Sequence, residues 1–287
     1  MKTTFKRAIC LVLMLCLATA FCVSLAACDG TKDDGKLYVG LECAYSPFNY
    51  TQLDDSNGAV KISNADGYAN GYDIMIAKRI AQALGKELVI CKYEWDALVP
   101  AVVSGALDFV IAGMSPTAKR LEAIDFSDPY YQSNLVIVVR KDNAALSNAT
   151  SLADFAGTTI VAQSGTFHDD ALREQGATYG ITRYTPMADF PAMINALNAR
   201  VVDGYIAEEP GAIENCASNP DFTYVHLVNN QTGFAATDEN TAIAVGMKKG
   251  SSIKDAVNEA LAAITQSERN QMMEQAIALA SGGNIVE

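Results

Sequence analysis

The chain has 287 residues, 50% of them hydrophobic and 19% charged, with a formal net charge of −12. That balance argues against nucleic acid and anionic headgroups as partners, because phosphate recognition needs clustered Lys and Arg; it is compatible with a cationic ligand, although an acidic surface also serves plain solubility. Only His168 and His226 accompany the cysteines, which have no metal-ligand spacing, so neither a zinc site nor any other cofactor is expected.

At the N-terminus, Lys2, Lys6 and Arg7 precede an apolar run from Ala8 to Val23 broken only by Thr19, and Leu25-Ala26-Ala27-Cys28 follows. A basic start, a short apolar run and small residues at its end describe an export signal over residues 1–27. The competing reading is a plain transmembrane anchor, since about 20 apolar residues can just span a bilayer. The small-small-Cys ending resembles a bacterial lipoprotein lipobox. That resemblance implies a lipid on Cys28 and attachment to the extracytoplasmic face of the cell membrane. Removing Lys2, Lys6 and Arg7, with no acids lost, takes the net charge from −12 to −15. Cys10, Cys16 and Cys22 leave with the signal, so Cys43, Cys91 and Cys216 remain, an odd number that leaves one disulfide open without establishing it. Residues 28–36 read as a polar tether.

The remainder alternates strands and helices. Leu37–Leu41 is a short strand, and Asp73–Leu84 carries apolar residues at 76, 77, 80, 81 and 84, a helical stripe closed by Gly85. Glu87–Tyr93 is rich in β-formers, Ala97–Ser104 is helical, and Leu107–Ala112 reads as a buried strand. Leu135–Val139 and Thr158–Ala162 are further apolar strands, Pro191–Asn198 a helix, and Gly204–Ala207 and Ala242–Val245 strands. Ile253–Ala280 forms two amphipathic helices with a break near Ser267. The polar stretch Thr51–Asn70 has no readable role. A weak internal echo links Val102–Gly113 (VVSGALDFVIAG) to Leu197–Glu208 (LNARVVDGYIAE), with Asp108 aligned on Asp203. Repeated β–α alternation implies parallel-type sheets flanked by helices, with ligands bound beyond the carboxyl ends of the strands.

Several separate stretches then fall in order: Glu42-Cys43-Ala44-Tyr45-Ser46-Pro47-Phe48, Gly71-Tyr72-Asp73-Ile74, and Trp95-Asp96-Ala97-Leu98-Val99-Pro100. Ala112-Gly113-Met114-Ser115-Pro116-Thr117-Ala118-Lys119-Arg120 and Asp125-Phe126-Ser127-Asp128-Pro129-Tyr130-Tyr131 follow. Together they resemble the polar amino-acid substrate-binding proteins of ABC importers, family 3, over about residues 37 to 280. The resemblance implies a two-lobed α/β fold of the periplasmic-binding-protein type II: lobe 1 from 37–131 and 242–287, lobe 2 from 132–241. Hinge strands are expected near Tyr130–Asn134 and Asp238–Thr241. It also implies a monomer that closes over a free amino acid and presents it to a membrane permease.

Site residues follow from that resemblance. Arg120 would grip the ligand carboxylate with a bidentate guanidinium fork, with Gly113, Met114 and Ser115 forming the strand-end loop beside it. The alternative for Arg120 is a solvated helix residue next to Lys119. Glu208 would hold the ammonium, where an aspartate is more usual; alternatively it meets a helix dipole together with Glu209. Ser164, Gly165, Thr166 and Phe167 match the second lobe's loop, whose backbone N–H groups would reach the carboxylate, and Gln163 matches a position facing the ligand's side chain. Glu42, Tyr45 and Trp95 would set specificity: a cation between aromatic faces gains about 0.5 to 2 kcal/mol, and a buried carboxylate adds a paired charge. L-Lysine or L-arginine is therefore favoured, with a neutral polar or aromatic amino acid as the alternative. Two further rivals are a dehydratase-type enzyme on the same scaffold and a ligand sensor; an enzyme is not expected, because His168 and His226 are acid–base candidates by residue type alone.

Overall fold

The computed structural model describes residues 34–282; the export segment, Cys28 and most of the tether lie outside the described residues. Strand β1 (Lys36–Leu41) leads into short strands β2 (Ala44–Tyr45), β3 (Asn49–Gln52), β4 (Val60–Lys61) and β5 (Tyr68–Asn70). Helix Tyr72–Ala83, β6 (Glu87–Lys92), helix Trp95–Ser104, β7 (Phe109–Val110) and the long β8 (Ile124–Gln132) follow. The chain continues through β9 (Leu135–Arg140), β10 (Thr159–Val161), helix Phe167–Gln175 and β11 (Thr182–Arg183). Helix Phe190–Asn198, β12 (Gly204–Glu208), helix Glu209–Ser218, β13 (Phe222–Val225) and β14 (Ala242–Lys248) come next. Helices Lys254–Ala262 and Gln266–Ala280 end the described chain, the second opened by a capping box between Thr265 and Glu268.

Two five-stranded sheets carry the two lobes, in the orders β6-β1-β7-β14-β8 and β11-β10-β12-β9-β13. In each, the first three strands are parallel and the fourth runs antiparallel to both neighbours. The sheets are thus mixed, where parallel-type sheets were expected. The reversal falls on β9 and β14, the first strand that each sheet receives when the chain crosses over from the other. Matching positions carry matching contacts. Asp108 accepts a hydrogen bond from the Tyr38 N–H at 2.8 Å, and Asp203 accepts one from the Thr159 N–H at 2.8 Å. Each aspartate also donates its own N–H back to that residue's carbonyl, at 2.9 and 2.8 Å. The echo in the sequence is therefore one device used twice: a helix-to-strand loop whose aspartate ties the third strand to the second.

Strand β9 shows why its sequence reads as an unbroken apolar run. Val136 and Val138 join the larger core, which underlies the first sheet, while Leu135, Ile137 and Val139 join a smaller core with Phe155, Ile160 and Ile206. Both faces are covered, so no polar alternation survives. The Gly71-Tyr72-Asp73 signature is also structural. Gly71 has φ +122°, and a Cβ there would lie 2.6 Å from the Pro47 carbonyl oxygen, which accepts from the Tyr72 N–H at 3.0 Å. Asp73 is fully buried and accepts from Asn49 Nδ2 at 2.8 Å and the Tyr130 hydroxyl at 2.7 Å; burial pushes its carboxyl up to about 6.

Two expectations change. Asp238–Thr241 is a helical turn rather than a strand, because Thr237 caps it by accepting from the Asn240 N–H. The unread stretch 51–70 belongs to a small antiparallel sheet, β2-β3-β5-β4, with Asn70 Nδ2 donating to Gln52 Oε1 at 3.0 Å inside it. Two connections join the main sheets, at 132–135 and 237–242, and they are hydrogen-bonded side by side through the Ser133 N–H and the Thr241 carbonyl at 3.0 Å. The last helix packs on both helix Tyr72–Ala83 and helix Glu209–Ser218. Cys43, Cys91 and Cys216 are free thiols. Among the described residues no cluster could hold a metal ion, and no helix is long and apolar enough to cross a membrane.

Candidate functional site

The carboxyl ends of the central strands face one another across a cleft, as the topology requires. On the first-lobe side, the chain leaves β7 through Gly113, whose φ of +63° and lack of a side chain let the Tyr45 ring approach; a Cβ would sit 2.8 Å from Tyr45 Cε1. Met114 is buried behind this loop, its carbonyl accepting from the Ala244 N–H at 3.1 Å. The turn Ala118–Leu121 then carries Arg120 back over the cleft. Its guanidinium lies 5.0 Å from the Trp95 ring centre and donates from Nη1 to the Ser115 carbonyl at 2.8 Å. Arg120 makes no ion pair among the described residues, and desolvation lowers it to about 10. Lys119 points to solvent instead.

On the second-lobe side, Glu208 ends β12 and occupies the cap position of the next helix, yet its side chain does not cap that helix. It turns inward, 2.9 Å from His168 Nε2, and both residues are buried. Burial pushes the carboxyl up to about 8 and the imidazole down to about 4, the latter aided by the positive charge of Arg120. Both shifts run in the direction that favours a hydrogen bond between neutral groups over an ion pair. Glu208 Oε2 and His168 Nδ1 have no hydrogen-bond partner. Glu209 meets His226 Nδ1 at 3.0 Å, away from the cleft.

At the cleft, among the described residues, four side-chain contacts cross between the lobes. Arg120 Nη2 and Trp95 Nε1 both donate to the Gly165 carbonyl, at 3.0 and 3.3 Å. Gln163 Nε2 donates to Glu42 Oε1 at 2.8 Å and to the Ala188 carbonyl at 2.9 Å. Phe190 stacks on Tyr45 with ring centres 4.3 Å apart, and Phe48 covers Tyr45's other face at 4.9 Å. Burial pushes Glu42 up to about 7, and the charges of Asp189 and Glu94 add to the rise. Thr166 is engaged locally, donating to the Gln163 carbonyl at 2.7 Å and accepting from the Asp169 N–H. Between these residues the lobes leave about 20 Å³, room for a water molecule.

Tyr45, Trp95, Gly113, Ser115, Arg120, Gln163, Thr166, Phe167 and Glu208 all line this cavity. Glu42 reaches it through Gln163, whereas Met114 supports it from behind. Tyr45 and Trp95 do not form an open aromatic slot here: Tyr45 lies between Phe48 and Phe190, and Trp95 faces Arg120. Two lining residues escaped sequence reasoning as site residues, His168 and Phe190. Phe190 precedes Pro191 beside the helix cap Asp189, a placement that reads as an ordinary helix start. His168 sits in the first turn of another helix, and its partner is 40 residues away.

Paired α/β lobes with polar groups gathered between their strand ends define a two-lobed binding protein. Solved structures agree. An amino acid ABC transporter substrate-binding protein from Streptococcus pneumoniae bound to L-arginine is 27% identical with a TM-score of 0.74, covering 87% of this chain and 96% of its own. An ancestral arginine-binding protein bound to arginine is 27% identical with a TM-score of 0.68, covering 84% and 97%. Among curated relatives, the arginine-binding extracellular protein ArtP of Bacillus subtilis (strain 168) is 28% identical over 87% of this chain and 90% of its own. A probable histidine-binding protein of Campylobacter jejuni is 27% identical over 77% and 86%. The family model for bacterial extracellular solute-binding proteins, family 3, matches residues 37–277, and the chain belongs to that family.

Proposed function

We propose that this protein is the extracytoplasmic substrate-binding component of an ABC importer for a cationic amino acid, with L-arginine ahead of L-lysine. The observation that carries the reading is a pair of opposed poles. A desolvated guanidinium without a carboxylate partner lies on one lobe, and a buried acid with an open oxygen lies on the other. An amino acid's carboxylate and ammonium complement these poles, Arg120 supplying parallel charge-assisted bonds and Glu208 the counter-charge. The acidic neighbourhood of Glu42, Asp189 and Glu94 supports a positive group at the far end of the ligand. Arginine binding by the relatives named above points the same way, and an ancestral arginine-binding protein bound to glutamine is a similar structure too.

Residues 37–131 with 242–287, and 132–241, act as the two lobes, rotating about the connections near 133 and 238. Ligand enters while they are apart. It replaces the Gly165 carbonyl at Arg120 and the Phe190 ring at Tyr45, and it favours the closed state because only there do both poles meet it. The lipid on Cys28 holds the protein at the membrane beside its permease. A thermal-shift screen against the twenty amino acids tests the reading: ligand at 100 times its dissociation constant adds about 2.7 kcal/mol. Arginine and lysine should give the largest shifts. Shifts from neutral or acidic amino acids alone would remove Glu42 from its assigned place, and no shift from any of the twenty would end the amino-acid reading.

A further inference from the structure

The Glu208–His168 contact is the one polar pairing in the cleft that leaves an unpartnered atom on each member, Glu208 Oε2 and His168 Nδ1, among the described residues. The two residues are 5% and 6% exposed and line the cavity together with Arg120. We propose that His168 is the proton partner of Glu208 in the empty ligand site, and that binding of the ligand's ammonium against Glu208 expels one proton to solvent. This rests on the amino-acid reading and deepens it.

The charge balance is simple. Empty, the pair consists of a carboxyl group and a neutral imidazole, with net charge zero. An ammonium buried against a neutral carboxyl would lack a counter-charge, which costs several kcal/mol. The carboxyl O–H bond therefore breaks, the electron pair stays on oxygen, and the proton passes to the buffer. Occupied, the site holds a carboxylate, the ammonium and a neutral imidazole, again with net charge zero. His168 keeps the empty carboxyl hydrogen-bonded without placing a second charge there, because Arg120, the facing cation, opposes imidazolium.

The other acids around the pair are engaged elsewhere. Asp169 binds Arg183 and Asp170 binds Arg173 on the His168 helix, while Glu209 meets His226. Across the cleft Glu42 accepts from Gln163, Asp189 accepts from the Ala192 N–H, and Asp96 is exposed. Glu208 is left as the acid with an open oxygen on the second lobe.

Isothermal titration of the lipid-free chain with L-arginine, in phosphate and in Tris at about pH 7, reads the proton count from the difference in heat. Glu208 should release about one proton per ligand, beside the fraction that Glu42 gives up to the distal cation, with affinity rising at least about tenfold per pH unit between about pH 6 and 7 and levelling above about 8. Glu208→Gln should remove about one proton of this release, and Glu208→Gln combined with Glu42→Gln should abolish it. His168→Leu and His168→Asn should move the pH of the plateau, a change that a purely structural histidine would not make. Binding with no proton released, release undiminished in Glu208→Gln, or an unchanged plateau in both folded His168 variants would each overturn the inference while leaving amino-acid binding intact. Absence of binding by every amino acid would instead fail the functional reading, and this inference with it.

Discussion

Taken position by position, the two lobes correspond strand for strand, β6-β1-β7-β14-β8 against β11-β10-β12-β9-β13, with the same reversal at the fourth strand. Where the positions face the interior of a lobe they are equivalent: Asp108 and Asp203 make the same pair of bonds. Where they face the cleft they diverge. Gly113 of one lobe corresponds to Glu208 of the other, and Glu42, just past β1, corresponds to Gln163, just past β10. Identical residues at those last positions would set acid against acid or amide against amide. The observed pair makes one donor–acceptor bond of 2.8 Å. The comparison separates what a repeated unit needs in order to fold from what two facing units need in order to hold a ligand with different ends.

The sharpest way to break this asymmetry is to remove its basic pole. Arg120→Ala should cost about 3–5 kcal/mol of binding by leaving a buried carboxylate unpaired, or about 10²–10⁴-fold in affinity, while the empty protein keeps its fold. Arg120→Lys should recover only part of this, because an ammonium cannot supply the two parallel bonds of the fork. Calorimetry showing less than a tenfold loss for Arg120→Ala would mean that the ligand carboxylate is held elsewhere.

Glu42 offers a second test, through pH. Its carboxyl titrates near 4.5 in an unfolded chain and near 7 in the folded one. Between those values the folded protein binds more protons than the unfolded, so this residue's contribution to stability falls as pH rises. The shift corresponds to about 3 kcal/mol across that window at 1.36 kcal/mol per unit. Urea midpoints of wild type and Glu42→Gln at about pH 5 and pH 8 should therefore converge at low pH and separate at high pH, with the variant more stable. A constant difference between them would show that Glu42 does not change protonation there. Saturating L-arginine should shrink the high-pH gap, since its distal cation stabilises the carboxylate.

Much of this molecule was legible in the sequence where one physical signal dominated. The stripe at Ile76, Ala77, Ile80 and Ala81 gave the first long helix, and β9 and β14 were apolar enough to read as strands although their antiparallel sense was not. Misreadings arose where local chemistry outweighed hydropathy. Thr237 caps a turn that was expected to be a strand, and the small sheet hides its alternation because Asn49, Gln52 and Asn70 are polar and buried. At the site, residues named by their place in a motif line the cavity, with Glu42 and Met114 standing behind the lining. Phe190 and His168 were missed because their partners, Tyr45 and Glu208, are brought to them by folding alone.

The matched aspartates give the smallest effect and the most direct test of the repeat itself. Asp108 and Asp203 are both half-buried, and each accepts a backbone N–H from the neighbouring strand, Tyr38 on β1 and Thr159 on β10. Replacing either by alanine removes a charged acceptor and strands one N–H, which should cost about 1–3 kcal/mol. Since the two sites lie in different sheets and share no partner, the costs should agree within about 0.5 kcal/mol and add in the double variant. Urea denaturation of the two single variants and the double would show this. A large cost at one site with none at the other would mean that the contacts look alike but do different work, and the echo would then be coincidence.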